Sequence, residues 1–454
     1  MKNDLNKISP YFIKELDINK DTKYKRILID ASSLIVPERI DLIAKIKYIE
    51  SKELNYKTNY FYKLYKKTIE SFSKGLYTEP GNSYKNSFSK YIKEFDDLII
   101  DMKENKFDPN KSLIPLGNNN AIIDGAHRLS VAYYFNQKVD CLKFEDISVN
   151  YNYEYFKKNL LEEEYLDYLT LEYCKLKQKI YIMLLKNFND EKIDDDYKVI
   201  YIKNIPFNNT LIKNILFETQ KLDLNDIDSL KLIVFETENI NKYKEKIINE
   251  YNSDLIYISN IYENSIEILE MLLNKNSIEF LSNINIHHNT KINKQLKEIK
   301  EMMKMQNLNF EDYIFTSDVV MSLYDLKKCE NIECLSHNKI KSNLTNNVAY
   351  NDKNYNKTLD ELIYNPNNYF YYNSLKFLTL KNVKKNNTKD RILVNLVLIK
   401  SINLNKMFKI IKEKLKIKIR NVKIRLKEIL KNVLKKIGLL EIIKKKIKKI
   451  NVNN

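Results

Sequence analysis

Tryptophan is absent from the 454 residues, glycine occurs five times, proline seven times, and cysteine and histidine four times each. These scarcities exclude several function classes. Cys141, Cys174, Cys329 and Cys334 are scattered, and the one close pair has no second pair to complete a zinc site. All four read as ordinary reduced thiols. No run of about 18 uncharged apolar residues occurs, so no membrane-crossing helix is expected. The opening Met1-Lys2-Asn3-Asp4-Leu5 lacks the apolar core of a secretory signal, and the expectation is a cytoplasmic chain. Few glycines and no tryptophan, beside abundant Lys, Asn, Ile and Tyr, suggest an AT-rich genome. Part of the lysine excess then carries no function.

What is present begins with 44% hydrophobic residues, enough to fill real cores in about three domains of roughly 150 residues each. The net charge of +17 resembles a nucleic-acid signature until it is located along the chain. Sixteen lysines and two arginines against three glutamates give residues 401–454 a charge of +15, leaving +2 for residues 1–400. The body is therefore nearly neutral, and the basic character belongs to the C-terminal segment.

Helical periodicity is clear from Arg39 to Ile49, from Phe61 to Phe72 and from Tyr91 to Met102. Phe107-Asp108-Pro109-Asn110 ends a helix, Ser112 to Leu116 reads as a strand, and Gly117-Asn118-Asn119-Asn120 is a turn. Ala121-Ile122-Ile123 is the return strand of a hairpin, Asp124-Gly125 ends it, and Ala126 to Phe135 is a helix. That helix should send Leu129, Val131, Ala132 and Phe135 to the core, with a strand following at Val139 to Phe144. A polar helical connector, Tyr151 to Gln178, leads to strands at Ile180 to Leu185, Val199 to Ile202, Leu230 to Phe235 and Leu255 to Ile258, with helices between them. That alternation argues an α/β unit.

The segment Asp124-Gly125-Ala126-His127-Arg128 has what a phosphate needs. The first amides of a helix are unpaired, the helix dipole adds roughly half a positive charge there, and glycine admits close backbone approach. Arg128 can donate two parallel bonds to phosphate oxygens, and His127 can donate one or move a proton. Asp124 could hold Mg²⁺ or fix the His127 tautomer. On spacing alone, the same residues also suit a plain turn with a solvated arginine.

A resemblance tips that balance. Ile122-Ile123-Asp124-Gly125-Ala126-His127-Arg128-Leu129-Ser130-Val131-Ala132 is similar to the signature of the ParB/sulfiredoxin superfamily, in which a strand leads into D-G-x-H-R at a helix start that holds the phosphates of CTP or ATP. The resemblance implies a nucleotide on Gly125, Ala126, His127 and Arg128, with Mg²⁺ on Asp124 and with His127 and Asp124 as catalytic residues. Pro37-Glu38-Arg39-Ile40-Asp41-Leu42-Ile43 resembles the opening segment of such domains, where kinase members keep a glutamate. By that resemblance Glu38 is a candidate base. Partition proteins of the superfamily need a helix-turn-helix and a basic body, which the neutral residues 151–400 do not offer, so DNA is not the expected partner. A sulfiredoxin needs a cysteine beside the turn, where this chain has Asp124 and Ala126. The overall look is of bacterial proteins whose ParB-like domain sits beside surface-polysaccharide biosynthesis functions, which implies a phosphotransferase with glycan-biosynthesis enzymes as partners.

Phe315-Thr316-Ser317-Asp318-Val319-Val320-Met321 followed by Asn331-Ile332-Glu333 resembles a nucleotidyltransferase region that has lost one of its two metal carboxylates. An unrelated helix and strand would read the same way. The adjacent His287 and His288 point to opposite faces of a strand and cannot easily share a metal. Tyr364 to Tyr372 is a turn into an aromatic strand, suited to core packing or to stacking on a base. From Leu415 apolar residues recur at steps of three and four through Ile447, with lysines and arginines between them. Such a basic amphipathic helix suits an anionic membrane, although DNA or a partner helix could use it too.

The expected fold class is thus α+β. Residues 1–150 form a ParB/sulfiredoxin-like phosphate-binding domain, 151–178 a helical connector, 179–290 an α/β domain, 291–400 a degenerate nucleotidyltransferase-like region and 401–454 a basic amphipathic helix. The expected location is the cytoplasm, at the inner face of the membrane.

Overall fold

A computed structural model describes residues 2–383 apart from 20, 80, 83, 187–197, 207, 217–229, 252–253, 285, 287–289 and 352–354, together with residue 394. The adjacent histidines and the basic segment 401–454 lie outside the described residues. Helix and sheet are mixed throughout, as an α+β class requires.

The N-terminal unit opens with two short helices, α1 (Lys2–Leu5) and α2 (Pro10–Glu15), and continues through β1 (Tyr24–Asp30), α3 (Asp41–Glu53), α4 (Tyr60–Phe72) and α5 (Phe88–Asn105). It closes with β2 (Ile114–Leu116), α6 (Ala126–Tyr134) and β3 (Lys138–Phe144). The spacing of α5 shows why it forms: Phe88, Tyr91, Phe95, Ile99 and Met102 recur every three or four residues, and all five are buried. The sheet order is β1-β3-β2, with β1 antiparallel and β2 parallel to β3. Strand β1 was not expected from the sequence. It lies at the sheet edge, and Leu28 stands 65% exposed in the middle of it. The return strand expected at Ala121 to Ile123 shrinks to a single bridge between Leu116 and Ile122. Gly117 and Ile123 donate across this bridge to the Ala121 and Pro115 carbonyls, and the Ile122 carbonyl, which points away from β2, accepts a hydrogen bond from Arg39.

The next stretch contains α7 (Tyr153–Lys158) and α8 (Glu163–Lys175). The polar connector expected here is helical, but α8 is core rather than surface, since Leu166 through Cys174 are all buried. Beyond it come β4 (Ile180–Lys186), β5 (Lys198–Ile205), α9 (Asn209–Ile215), β6 (Leu230–Glu236), α10 (Ile240–Tyr251), β7 (Leu255–Ile258), α11 (Tyr262–Leu272) and α12 (Lys275–Asn283). Their sheet order is β5-β6-β4-β7, and every pairing is antiparallel. The α/β reading of this unit is thereby corrected. Its strands resemble parallel ones because both faces are covered: Ile182, Leu184, Leu232 and Val234 enter one core, and Met183, Leu185, Ile233 and Phe235 enter another.

The last described unit runs through α13 (Thr290–Met305), β8 (Tyr313–Thr316), α14 (Asp318–Leu323), β9 (Ile332–Ser336), β10 (Thr345–Asn347), α15 (Leu359–Tyr364), β11 (Tyr369–Tyr372) and β12 (Leu375–Leu378). These strands form a mixed sheet in the order β10-β9-β8-β12-β11. All four residues of the aromatic strand β11 are buried, so this strand packs the core.

Candidate functional site

The turn before α6 is built by one residue. Gly125 caps the helix with φ 87° and ψ 26°, a left-handed conformation that favours glycine, and no side chain caps the helix in its place. Leu129, Val131 and Ala132 anchor the far side of α6 in the core, which fixes where its N-terminus points. It opens into a cavity of about 290 Å³. Asp124, Gly125, Ala126 and His127 line that cavity, together with Arg39, Asp41 and Lys45 from the start of α3 and an aromatic wall that includes Phe72, Tyr91, Tyr151 and Tyr155.

Three charged side chains form the buried part of this wall. Asp41, 1% exposed, accepts two bonds from Arg39, Nε and Nη2 each at 2.9 Å, and one from Lys45 Nζ at 2.6 Å. Burial pushes the Asp41 carboxyl up, but the two cations overcome it and hold the group well below the usual carboxylate range. The remaining Arg39 nitrogen, Nη1, donates to the Ile122 carbonyl at 2.6 Å and so joins α3 to the segment before α6. The Tyr151 ring covers the guanidinium at 5.3 Å and Phe72 does so at 6.0 Å.

His127 shares a hydrogen bond with the Tyr65 hydroxyl at 2.8 Å and packs among aromatic rings, that of Phe95 being 4.6 Å away between centroids. Burial, then the nearby charges of Lys85 and Lys45, lower its pKa well below the ordinary 6.5. The imidazole is therefore neutral at physiological pH, able to donate through one nitrogen and accept through the other.

The remaining candidates are placed less centrally. Arg128 is not among the residues lining the cavity. Its guanidinium lies over Gly125, where an added Cβ would meet Nη2 at 2.9 Å, and Nη2 contacts Asp124 Oδ2 at 3.4 Å. Glu38 is also outside the lining, in an ion pair with Lys198 at 2.9 Å. Sequence reasoning missed Asp41 and Lys45 as site residues. Their signal was an acid and a lysine four residues apart, set among Ile40, Leu42, Ile43, Ala44 and Ile46, where charges have no solvent to face.

In the second constellation, Thr316 on β8 stands opposite Glu333 on β9, while Asn331 is exposed. Asp318 pairs with Lys327 at 2.9 Å, which balances its charge within the protein. Among the described residues no group of three His, Cys, Asp or Glu side chains is arranged to hold a metal ion.

The α6 amides, the buried cations and the aromatic wall together suit a ligand with an anionic end and a flat or ring-shaped end. No family model, curated protein or solved structure matches the chain.

Proposed function

We propose that residues 1–150 are a ParB/sulfiredoxin-like domain that binds ATP or CTP by its phosphates and transfers a phosphoryl group to an acceptor in bacterial surface-glycan metabolism. The observation that carries this reading is the convergence of the glycine-capped start of α6 and two buried cations on one aromatic-walled cavity. The amides of Ala126 and His127 take phosphate oxygens, and the aromatic wall takes the base or sugar. Asp124 suits Mg²⁺, which usually combines one or two carboxylates with substrate phosphates, because its carboxylate lines the cavity and its Arg128 contact is long. The metal ion would neutralise charge on the phosphates. The acceptor hydroxyl oxygen bonds to the terminal phosphorus, the bridging P–O bond breaks, and neutral His127 takes the hydroxyl proton.

A second reading, a non-catalytic nucleotide sensor that scaffolds glycan-biosynthesis enzymes, is favoured by the placement of Glu38. The candidate base is held by Lys198, outside the cavity lining. Purified full-length protein should bind Mg-ATP or Mg-CTP in a calorimetric titration, and phosphorus NMR should show ADP or CDP and a phosphorylated acceptor accumulating when an acceptor is present. Binding without turnover across a panel of glycan precursors favours the sensor. Failure to bind either nucleotide contradicts both readings.

A further inference from the structure

The cavity wall contains a buried ammonium whose hydrogen-bonding capacity is only partly used. Arg39 and Lys45, each 3% exposed, share the single carboxylate of Asp41, so two buried cations face one buried anion. The Arg39 nitrogens are committed: Nε and Nη2 to Asp41, Nη1 to the Ile122 carbonyl. Lys45 is not. Its ammonium carries three N–H donors, but among the described residues it meets only Asp41, through Oδ2 at 2.6 Å and a long 3.5 Å contact to the carbonyl. Of the two other carboxylates that line the cavity, Glu79 pairs with Lys85 at 2.7 Å, a lysine that Glu94 also meets at 3.2 Å, and Asp124 makes only a long 3.4 Å contact with Arg128; neither hydrogen-bonds to Lys45.

A buried ammonium with unmet donors is costly, and a phosphate oxygen entering the cavity would meet them. The position agrees with that use. Lys45 lines the same cavity as the start of α6, and its charge is felt at His127. We propose that Lys45 is the anion anchor of the site: its ammonium takes a phosphate oxygen of the ligand, opposite the amides of α6, and makes the site selective for phosphorylated over neutral molecules.

This assignment deepens the nucleotide-binding reading and rests on it for the role of the cavity. The test uses the full-length protein and its Lys45→Met variant, with pyrophosphate, Mg-ATP, Mg-CTP and the nucleosides adenosine and cytidine as probes. Removing the charge-assisted bond should weaken binding of the phosphorylated probes about 10- to 100-fold. Thermal stability should hold or rise, because the Arg39–Asp41 pair that remains is balanced.

If the variant binds every phosphorylated probe as tightly as the wild type, the anchor is overturned while the nucleotide reading stands. If the wild type binds pyrophosphate through Lys45 but neither nucleotide, the nucleotide reading fails and the anchor stands. If Lys45→Met does not fold, amine acylation of the wild type decides the matter. Protection of Lys45 by pyrophosphate, read by mass spectrometry, supports the anchor, and unchanged labelling overturns it.

Discussion

His127 lines the cavity at the start of α6 and shares a hydrogen bond with the Tyr65 hydroxyl. Packed beside Tyr65, Tyr91 and Phe95 and near Lys45, it is held neutral, so it can exchange a proton but adds no charge to a phosphate. The sign of its effect on stability follows. The folded pKa lies below the ordinary 6.5, so as the pH falls through 6.5 the unfolded chain takes up the proton first. Stability from this residue is full above that pH and is lost below it, at up to about 1.4 kcal/mol per pH unit. Asp167 and Glu270, whose carboxyls burial pushes up to about 6 and about 7, act with the opposite sign. They are common to both proteins and cancel in a comparison with His127→Gln. Urea midpoints taken at about pH 7 and about pH 5 should fall further for the wild type than for the variant. An equal fall in both would mean that His127 is not held neutral by its surroundings.

At the scale of elements, α6 and its turn were legible because their determinants are local. A glycine, a helix start and three buried apolar residues specify them within about ten residues. The same locality makes Gly125 testable. With φ at 87°, a Cβ costs about 1–2 kcal/mol from backbone strain and displaces the Arg128 guanidinium from its place 2.9 Å away. Gly125→Ala should lose that stability in chemical denaturation and weaken nucleotide binding in titration. A variant unchanged in both would remove the turn from the site. The Arg39–Asp41–Lys45 cluster was not legible as a site, because it becomes one only when α3 packs beside the segment before α6, about 80 residues away. The antiparallel order of β4 to β7 was hidden for a similar reason: strands covered on both faces show no alternation, and their partners are set by distant chain.

At the scale of the whole molecule, one large core runs through the units drawn from the sequence that lie among the described residues. A continuous cluster of buried residues extends from Ala31 to Val394. Tyr56 stacks on Tyr364 at 4.1 Å, the Lys57 amide donates to Asp360 at 2.6 Å, and Lys47 pairs with Glu172 at 2.8 Å. Composition could not show this, because contacts between units are made by the same residue types as contacts within them. The charge distribution, by contrast, is a property of sequence alone. With +15 on residues 401–454, the full-length protein should bind vesicles containing anionic lipid, and a truncation after Lys400 should not. Binding should weaken as salt shortens the screening length from about 10 Å at 0.1 M to about 3 Å at 1 M. In a flotation assay, equal binding by the truncated chain would contradict the membrane assignment, and duplex DNA binding by the same segment would replace it.

The central claim is that the cavity at the start of α6 recognises a nucleotide by its phosphates. It is tested most directly by one calorimetric comparison on the full-length protein: Mg-ATP and Mg-CTP against adenosine and cytidine under the same conditions. At least one nucleotide should saturate the site, with its nucleoside binding at least about 10-fold more weakly, since the α6 amides and Lys45 have no anion to meet in it. Equal affinity for nucleotide and nucleoside, or no binding of either nucleotide, would contradict the account.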